Sequence, residues 1–391
     1  MIYLDHAATT PTDPRVVEAM MPYLTYEFGN PGSLHSYGRE AKEAVDHARE
    51  QTARFFNCEP GQVIFTSGGT EGNNTVFEGL VPELKKISTR KTIVVSAIEH
   101  DSVWKAAHRM RKHGFSIWPV TPTISGEITR SAVLDVLDDS VGLVSVMAAN
   151  NETGVVNDVP GIGATCRNRG VLFHSDAVQF ASVEAPDTKE MFAQADFVTV
   201  SGHKFGGPKG TGALFVRNPE LLSPLIVGGA EQEFGFRGGT ENVPGIVGFG
   251  EACEIRMDER VMHLAALGAR FNRMLYLLKN LAGKNKLDMH INGGERLLMP
   301  KTLNVCFPGV DAQSLVLLLD SNDICVSAGS ACRAHENVPS RTLKAMGLSD
   351  EEARSSIRIS LSHLTTMEEV DKAANAIIYA VNSLKAFACT A

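Results

Sequence analysis

The sequence predicts an α/β protein built from a large doubly wound domain and a smaller carboxy-terminal α+β domain. Over the first two thirds of the chain, short β-rich runs alternate with segments of helical period. These runs are apolar on successive residues, which is typical of strands that helices cover on both faces of a mainly parallel sheet. In the last third, grouped strands with helices on one side favour the smaller domain.

Local patterns predict the elements of the large domain. Apolar residues between positions 41 and 56 recur at helical spacing and predict a helix with one buried face. The strands predicted after it span residues 63–66, 92–95, 142–147, 171–174 and 196–200. A further strand is predicted at 210–216. Whether it runs parallel or antiparallel to its neighbours is left open.

The smaller domain begins after a long helical segment at 241–282 that links the two parts of the chain. The pattern beyond it predicts strands at 302–307 and 356–361, a helix at 312–319 and a Gly/Ser-rich loop at 327–330. Apolar residues between 370 and 384 form one stripe of a final helix. We expect residues 15–255 to form the large domain, and residues 1–14 and 256–391 to form the small one.

Composition excludes several classes of protein. The chain has 391 residues, of which 43% are hydrophobic and 21% charged, with a formal net charge of −8. This acidic balance offers no basic field for nucleic acid or an anionic membrane. The seven cysteines contain no Cys-x-x-Cys pair, so neither a disulfide scaffold nor a metal site is expected. With no signal peptide or apolar span of about 20 residues, we expect a cytoplasmic protein.

Three strand ends carry side chains that could perform chemistry, because ligands of open α/β sheets bind at the carboxyl ends of strands. After strand 63–66 come Gly69 and Thr70 at a helix start, which suits a phosphate group. Asp176 follows strand 171–174. Lys204 follows strand 196–200, where burial favours the neutral, nucleophilic amine. Taken singly, a capped glycine turn, an N-cap carboxylate and a solvated lysine explain these residues as well.

Together the three strand ends match what pyridoxal phosphate requires. That cofactor needs a phosphate anchor, a carboxylate for its pyridinium nitrogen and a Schiff-base lysine. His100, in the sequence Glu99-His100-Asp101, could stack on the pyridine ring and relay protons near neutral pH. A surface or capping histidine is the simpler interpretation of His100.

A second reactive group is predicted in the Gly/Ser-rich loop of the small domain. Cys332 follows Gly329-Ser330-Ala331 and precedes Arg333. The small residues would expose the thiol, and the adjacent cation would favour the reactive thiolate. Without the lysine site, an incidental loop cysteine would be the preferred interpretation.

A series of short motifs extends over essentially the whole chain. These are YLDHAATT (3–10), FGNP (28–31), TSGGTE (66–71), ANNETG (149–154), DAVQ (176–179), SGHK (201–204), RGGTEN (237–242), GSAC (329–332) and SIRISL (356–361). In this order the chain resembles the cysteine desulfurases, within the class V aminotransferase group of fold-type I pyridoxal-phosphate enzymes. The spacing to Pro339-Ser340 is similar to that of their long-loop subgroup. The resemblance implies a mainly parallel seven-stranded sheet in the large domain.

The resemblance also implies roles for individual residues. Lys204 would hold the cofactor and move the proton at the substrate α-carbon, and Asp176 would pair with the ring nitrogen. Arg358 and Asn30 would hold the substrate carboxylate, and Cys332 would accept the sulfur. Further contacts to the ring, the phosphate or the substrate are implied for Gly69, Thr70, His100, Asn151, Gln179, Ser201, His203 and, from the second subunit of a homodimer, Thr240.

The implied reaction converts L-cysteine to L-alanine and leaves a persulfide on Cys332. That sulfur then passes to a protein acceptor in iron–sulfur cluster assembly, tRNA thiolation or DNA sulfur modification. Selenocysteine lyase or aminotransferase chemistry on the same cofactor is the nearest alternative. A catalytically silent scaffold and, more distantly, a nucleotide-binding protein are the alternatives from other classes.

Overall fold

A seven-stranded sheet forms the centre of the large part of the computed structural model, which describes residues 1–87, 89–187, 189–229, 232–294, 298–329 and 338–388. Its strands are β2 (Val63–Thr66), β3 (Thr92–Ser96), β4 (Ser116–Val120), β5 (Val141–Ser145), β6 (Leu172–Asp176), β7 (Phe197–Ser201) and β8 (Gly212–Val216). They lie in the order β2-β8-β7-β6-β5-β3-β4. β8 runs antiparallel to both neighbours and the other pairs are parallel. The mainly parallel α/β prediction is confirmed.

Helices and two smaller sheets complete the described chain. The α-helices are α1 (Pro14–Thr25), α2 (Ser36–Phe56), α3 (Gly69–Gly79), α4 (Val81–Lys86), α5 (Asp101–Arg109), α6 (Arg130–Leu134), α7 (Val159–Asn168), α8 (Val243–Asp258), α9 (Arg260–Lys284), α10 (Ala312–Asp320), α11 (Arg341–Ala345), α12 (Asp350–Arg354) and α13 (Met367–Ala388). The remaining strands are β1 (Ile2–Tyr3), β9 (His290–Asn292), β10 (Thr302–Cys306), β11 (Ile324–Cys325) and β12 (Ser356–Ser360). Within the described ranges, no helix combines the length and apolar character needed to cross a membrane.

Strand β4 is the element of the large sheet that the sequence pattern missed. Its residues alternate irregularly between exposed and buried, and Trp118 is 45% exposed. β4 lies at the edge of the sheet and contains Pro119, and an edge is where a strand tolerates a residue without a backbone N–H. The other six strands are buried at nearly every position, which is why their continuous apolar runs were readable.

The helical segment predicted at 241–282 consists of two helices in the structure. The chain forms α8 and α9, which are separated by Glu259. Glu259 caps α8 with its backbone N–H, has φ −98° and ψ 7°, and pairs through its carboxylate with Arg15 and His263. The tertiary ion pair between Arg15 and Glu259 thus marks the break, and the helical period alone does not report it.

The amino-terminal residues join the carboxy-terminal part of the chain. β1 pairs in parallel with β11, and an isolated bridge links Asp5 to Ser360 in β12. β12, β10 and β9 form a three-stranded antiparallel sheet. The residue boundaries of the two domains stay a prediction.

A buried ion pair anchors helix α2 to the segment before α8. Arg49 donates two hydrogen bonds to Glu233, with a shortest N–O distance of 2.6 Å, and a third to the carbonyl of Val63. Both side chains are nearly inaccessible, and Glu233 also accepts the N–H of Phe65. Glu233 has φ 44°, an unfavourable conformation for a residue with a side chain, so these bonds stabilise an otherwise costly turn.

We predict that Arg49→Met lowers the free energy of unfolding by about 3–5 kcal/mol, because it leaves the Glu233 carboxylate buried without its cation. Arg54→Met is the matched control. Arg54 lies on the same helix and pairs with Glu254, but about half of its side chain is exposed, so a loss of less than about 1 kcal/mol is expected. Urea denaturation of both variants measures the difference. Equal losses would contradict the role assigned to the buried pair.

Candidate active site

The carboxyl ends of β2, β6 and β7 lie at one edge of the sheet, and a cavity of about 240 Å³ opens there. Most of the predicted site residues line it. They are Gly69, Thr70, His100, Asn151, Asp176, Gln179, Ser201, His203, Lys204 and Arg358. The structure therefore brings together side chains from widely separated parts of the chain.

Asp176 is the last residue of β6 and is only 4% exposed. Its Oδ2 accepts a hydrogen bond of 2.8 Å from Asn73 Nδ2, and its Oδ1 accepts one of 2.9 Å from the backbone N–H of Val178. Among the residues the structure describes, no basic side chain lies within 4.0 Å of this carboxylate. A buried carboxylate held by neutral donors attracts a cationic group that enters the cavity.

A hydrogen-bond chain connects Asp176 with His100. Asn73 Nδ2 also donates to Ser102 Oγ at 2.9 Å, and Ser102 Oγ lies 2.7 Å from His100 Nδ1. His100 is the N-cap of α5 and accepts the backbone N–H of Ser102. These bonds hold the orientation of the imidazole, so His100 is both a capping residue and a cavity residue.

Lys204 lies in a short 3-10 turn directly after β7. Its amine donates hydrogen bonds of 2.7 and 2.8 Å to the carbonyls of Ala7 and Ala8. Gln179 Nε2 donates to the carbonyl of Ala7 as well, at 2.9 Å. The amino-terminal segment thus positions the predicted nucleophile within the cavity.

At the turn after β2, glycines let a ligand approach the backbone N–H groups closely. Gly68 has φ 143°, a conformation that side chains disfavour, and a Cβ on Gly69 would lie 2.7 Å from Val178 Cγ2. Gly69 and Thr70 open helix α3, where N–H groups lack partners within the helix. Because such a helix start favours an anion, this turn is suited to a phosphate.

His203 lies beside this turn. Burial and then the nearby Lys204 lower its pKa to about 4, so the imidazole is neutral at neutral pH. Its Nδ1 lies 3.1 Å from Thr9 Oγ1. A neutral imidazole can donate one hydrogen bond to a phosphate without adding another full charge.

Arg358, at the centre of β12, carries a cation into the cavity from the smaller sheet. The side chain is almost completely buried and donates hydrogen bonds of 2.8 Å to the Asn151 carbonyl and 2.7 Å to Asp5 Oδ1. Its Nε has no hydrogen-bond partner among the described residues. A buried guanidinium with a donor unused is suited to a carboxylate ligand, which it binds through two parallel hydrogen bonds.

These residues fit pyridoxal phosphate. The buried Asp176 carboxylate is available for a protonated ring nitrogen, the α3 start for a phosphate and the Lys204 amine for an aldehyde. Gln179 Oε1 is buried and has no hydrogen-bond partner in the structure, so it is free to accept from a bound group. The donor set therefore matches the predicted cofactor.

Three predicted residues are not part of the cavity lining. Asn30 and Thr240 are exposed, and Asn30 Oδ1 accepts the N–H of Gly32. Cys332 and its neighbour Arg333 belong to positions 330–337, which lie outside the described residues. The roles of all three site residues stay predictions.

Sequence reasoning missed six contributors to the site, of which Ala7 and Ala8 supply the carbonyls that hold the Lys204 amine. Asn73 and Ser102 join Asp176 to His100, while Met147 and Val178 line the cavity. The spacing of Asn73, one helical turn after Thr70, was a usable signal. No local pattern marked Met147 or Val178, because apolar residues at strand ends are indistinguishable from ordinary core residues.

Comparison with known proteins gives one family and several full-length relatives. The family model for class-V aminotransferases matches residues 2–373. The chain is 40% identical over 388 residues to cysteine desulfurase IscS of Pseudomonas putida, covering 98% of this chain and 93% of that protein.

Two solved structures are similar over nearly their whole length. A NifS-like protein superposes with a TM-score of 0.89 at 32% identity, covering 98% of this chain and 100% of the other. SspA in complex with cysteine superposes with a TM-score of 0.78 at 32% identity, covering 94% and 100%.

We predict a pH dependence of stability from His174, which precedes Asp176 in β6. Burial lowers the His174 pKa to about 3, whereas the unfolded value is about 6.5. Between these pH values the unfolded state binds a proton that the folded state does not, so stability falls as pH falls below 6.5. The contribution reaches about 1.4 kcal/mol per pH unit. Relative to wild type, His174→Gln should reduce the slope of unfolding free energy against pH by up to this amount.

Urea denaturation between pH 6.5 and 4.5 measures that slope. His47→Gln is the control, because His47 is exposed on α2 and its removal should leave the slope unchanged. A slope in His174→Gln equal to that of wild type would show that His174 does not remain neutral in the folded protein.

Proposed function

The chain belongs to the class-V aminotransferase family and is a pyridoxal-phosphate-dependent cysteine desulfurase, and from this premise we propose which residues carry its chemistry. The substrate is L-cysteine, and the products are L-alanine and a sulfur atom held as a persulfide. The observation behind these roles is that Lys204, Asp176 and Arg358 line the same cavity.

Residues around the cavity would hold the cofactor from three directions. The N–H groups at Gly69 and Thr70, with Ser201 and His203, would bind its phosphate. Asp176 would bind the protonated ring nitrogen, and His100, Gln179 and Asn151 would contact the ring. When bound, pyridoxal phosphate supplies an electron sink for the bonds at the substrate α-carbon.

Lys204 would tie the cofactor covalently and then transfer the proton at the substrate α-carbon. The carbonyls of Ala7 and Ala8 hold its amine within the cavity. Because these acceptors are neutral, they orient the amine without adding a carboxylate that would fix its proton. Lys204 is therefore suited to both accepting and returning a proton.

Arg358 would orient the substrate by its carboxylate. Its present partner, Asp5, is 18% exposed in its side chain, while the guanidinium is 2% exposed. A substrate carboxylate would take over part of the hydrogen bonding that Asp5 now accepts. Asn30 is proposed as a second contact to the same carboxylate.

Cys332 is proposed as the sulfur acceptor. Its thiolate would attack the substrate sulfur, so that a sulfur–sulfur bond forms as the substrate carbon–sulfur bond breaks. The electron pair of the broken bond stays with the carbon fragment, which takes up a proton and leaves as alanine. The net change converts cysteine and one enzyme thiol into alanine and one enzyme persulfide, with no external oxidant.

We predict that Cys332→Ala abolishes persulfide formation and lowers alanine release from cysteine at least about 100-fold, because the nucleophile is removed. Cys58→Ala is the control and should retain activity, since Cys58 is half-buried and burial raises its pKa to about 12. Alanine and sulfide are quantified together, and the persulfide is trapped for mass spectrometry. Undiminished desulfuration by Cys332→Ala would contradict the assignment.

Selenocysteine cleavage by the same variant tests the nearest alternative. A selenocysteine lyase would release alanine from selenocysteine without Cys332 and would show little turnover of cysteine in the wild type. A cysteine desulfurase requires Cys332 for its turnover of cysteine. Wild-type preference for selenocysteine by a large factor would favour the alternative.

We propose that the enzyme is a homodimer in which Thr240 of each subunit completes the other subunit's phosphate site. Thr240 is exposed and does not line the cavity of its own chain. Large apolar side chains are exposed on α1, the segment after it and the start of α2. They are Val17, Met21, Leu24, Tyr26, Phe28, Leu34 and Tyr37. An exposed apolar set of this extent is typical of a protein interface.

Subunit complementation tests this arrangement. We predict that Lys204→Ala and Thr240→Ala homodimers are both impaired, whereas their heterodimer has about half the wild-type activity. In the heterodimer, one site combines an intact Lys204 with an intact Thr240 from the other subunit. If Thr240 acted within its own chain, every site would carry a defect and no activity would be regained. Differently tagged, co-purified subunits provide the measurement.

We propose that a protein accepts the persulfide sulfur and that the enzyme works in the cytoplasm. The number and spacing of the cysteines suit a reducing compartment. Persulfide transfer also needs a reduced acceptor thiol or an equivalent nucleophile. Capture of acceptors with persulfide-loaded enzyme, compared with Cys332→Ala, tests this part of the proposal.

A further inference from the structure

A second cavity, of about 310 Å³, lies beside the candidate active site. We call it the basic cavity. Segment 10–14, helices α8 and α9, and residues 361–364 form its walls. Basic side chains predominate among its titratable lining residues, which are Asp13, Lys204, Arg256, His263, Lys301 and His363.

Lys301 is the most unusual of these residues. It is only 2% exposed, and burial, followed by repulsion from Lys204 and Arg256, places its pKa well below the ordinary value. Among the described residues, no carboxylate oxygen lies within 4.0 Å of its ammonium group. Burying an ammonium group without an anion is costly, so burial favours the neutral amine, and an anion bound beside Lys301 would favour the protonated form instead.

Arg256 adds a second cation without a carboxylate partner. It is 4% exposed, donates to the Ser182 carbonyl at 2.9 Å and lies 3.4 Å from His263 Nδ1. Its Nε is buried and, within the part of the chain that the structure describes, has no hydrogen-bond partner. No described carboxylate lies within 4.0 Å of the guanidinium, and burial lowers its pKa to about 10.

The carboxylates close to the basic cavity are already engaged. Asp13 lines the cavity, but both of its oxygens accept hydrogen bonds from Arg15. Glu259 pairs with Arg15 and His263. Asp5 pairs with Arg358, and Glu184 pairs with Arg260. Since these anions have cationic partners of their own, they offset the charges of Lys301 and Arg256 only in part.

Two stacked histidines, His263 and His363, lie with ring centroids 3.7 Å apart. Burial lowers both pKa values, that of His363 to about 4, so both rings are neutral at neutral pH. The His263 nitrogens already lie 3.1 Å from Glu259 and 3.4 Å from Arg256, which leaves His363 as the ring that can offer a neutral donor.

We propose that the basic cavity binds a small oxyanion, held by Lys301 and Arg256. A planar guanidinium and an ammonium together provide charge-assisted donors for several oxygens of one ligand. The volume also exceeds the ~30 Å³ occupied by one water molecule, which leaves room for a sulfate-sized or carboxylate-sized ion. The inference rests on the cavity and its charges and does not depend on the proposed function.

Binding there would act on the active site through Lys204, which lines both cavities. Lys301 and Lys204 repel one another when both are charged. An oxyanion beside Lys301 would offset that repulsion. Oxyanion concentration would therefore influence the charge of the catalytic lysine without direct competition for the active site.

Selenate provides a direct test on the holoenzyme, because selenium is located by anomalous scattering. We expect a selenate peak in the basic cavity within hydrogen-bond distance of Lys301 Nζ or the Arg256 guanidinium. Isothermal titration with sulfate and formate at constant ionic strength then distinguishes a tetrahedral oxyanion from a carboxylate. Binding of either one supports the site, whereas binding of neither overturns it.

Lys301→Met should weaken the binding of the preferred oxyanion at least about tenfold, because it removes a charge-assisted donor and keeps the volume. Lys372→Met is the matched control, since Lys372 is exposed on α13 and pairs with Glu368. If Lys301→Met does not fold, oxyanion binding is measured with Lys301→Gln and Arg256→Lys instead. Selenate confined to surface lysines, or equal affinity in a folded cavity variant, would overturn the proposal.

Alanine release by Lys301→Met is measured in parallel. Loss of oxyanion binding in Lys301→Met supports the proposed site in the basic cavity, whatever the rate at which this variant releases alanine. Failure of the desulfurase assignment would appear separately, as an inactive wild type that still binds selenate in the cavity.

Discussion

The buried carboxylate of Asp176 is the constraint around which the site is arranged. It lies at the end of β6, and Asn73 and the N–H of Val178 satisfy its oxygens without neutralising its charge. Such an anion is stable in a protein interior only if donors surround it. Helix α3 supplies one of these donors through Asn73, and the turn after β6 supplies the other. Asn73 also donates to Ser102, whose hydroxyl lies 2.7 Å from His100 Nδ1, so the amide that makes the carboxylate tolerable also helps to orient His100.

The amino-terminal segment connects the two parts of the molecule at the site. Its backbone carbonyls accept hydrogen bonds from Lys204 and Gln179, which follow strands of the large sheet. Asp5, in the same segment, pairs with Arg358 of the small sheet. A displacement of this segment would disturb both Lys204, the proposed nucleophile, and Arg358, the residue proposed to bind the substrate carboxylate. The geometry thus couples substrate orientation with the position of the lysine.

Positive charge exceeds negative charge on both sides of Lys204. The active-site cavity holds Lys204 and Arg358 against Asp176, and the basic cavity holds Lys301 and Arg256 against an Asp13 that Arg15 already occupies. A cofactor phosphate and a substrate carboxylate would balance the first set. An oxyanion would balance the second, so the chain as a whole is preorganised for anionic ligands despite its net charge of −8.

The sequence by itself determined the parallel strands and the residues at their ends, because a strand buried on both faces must be continuously apolar and its carboxyl end must carry the polar groups. Lys204, Asp176 and Thr70 were predictable for that reason. Edge strand β4, the break at Glu259 and the Asn73–Ser102 connection were decided by tertiary structure, since each depends on neighbours distant in the chain. The isolation of Lys301 likewise exists only after folding, because burial and the placement of other cations create it.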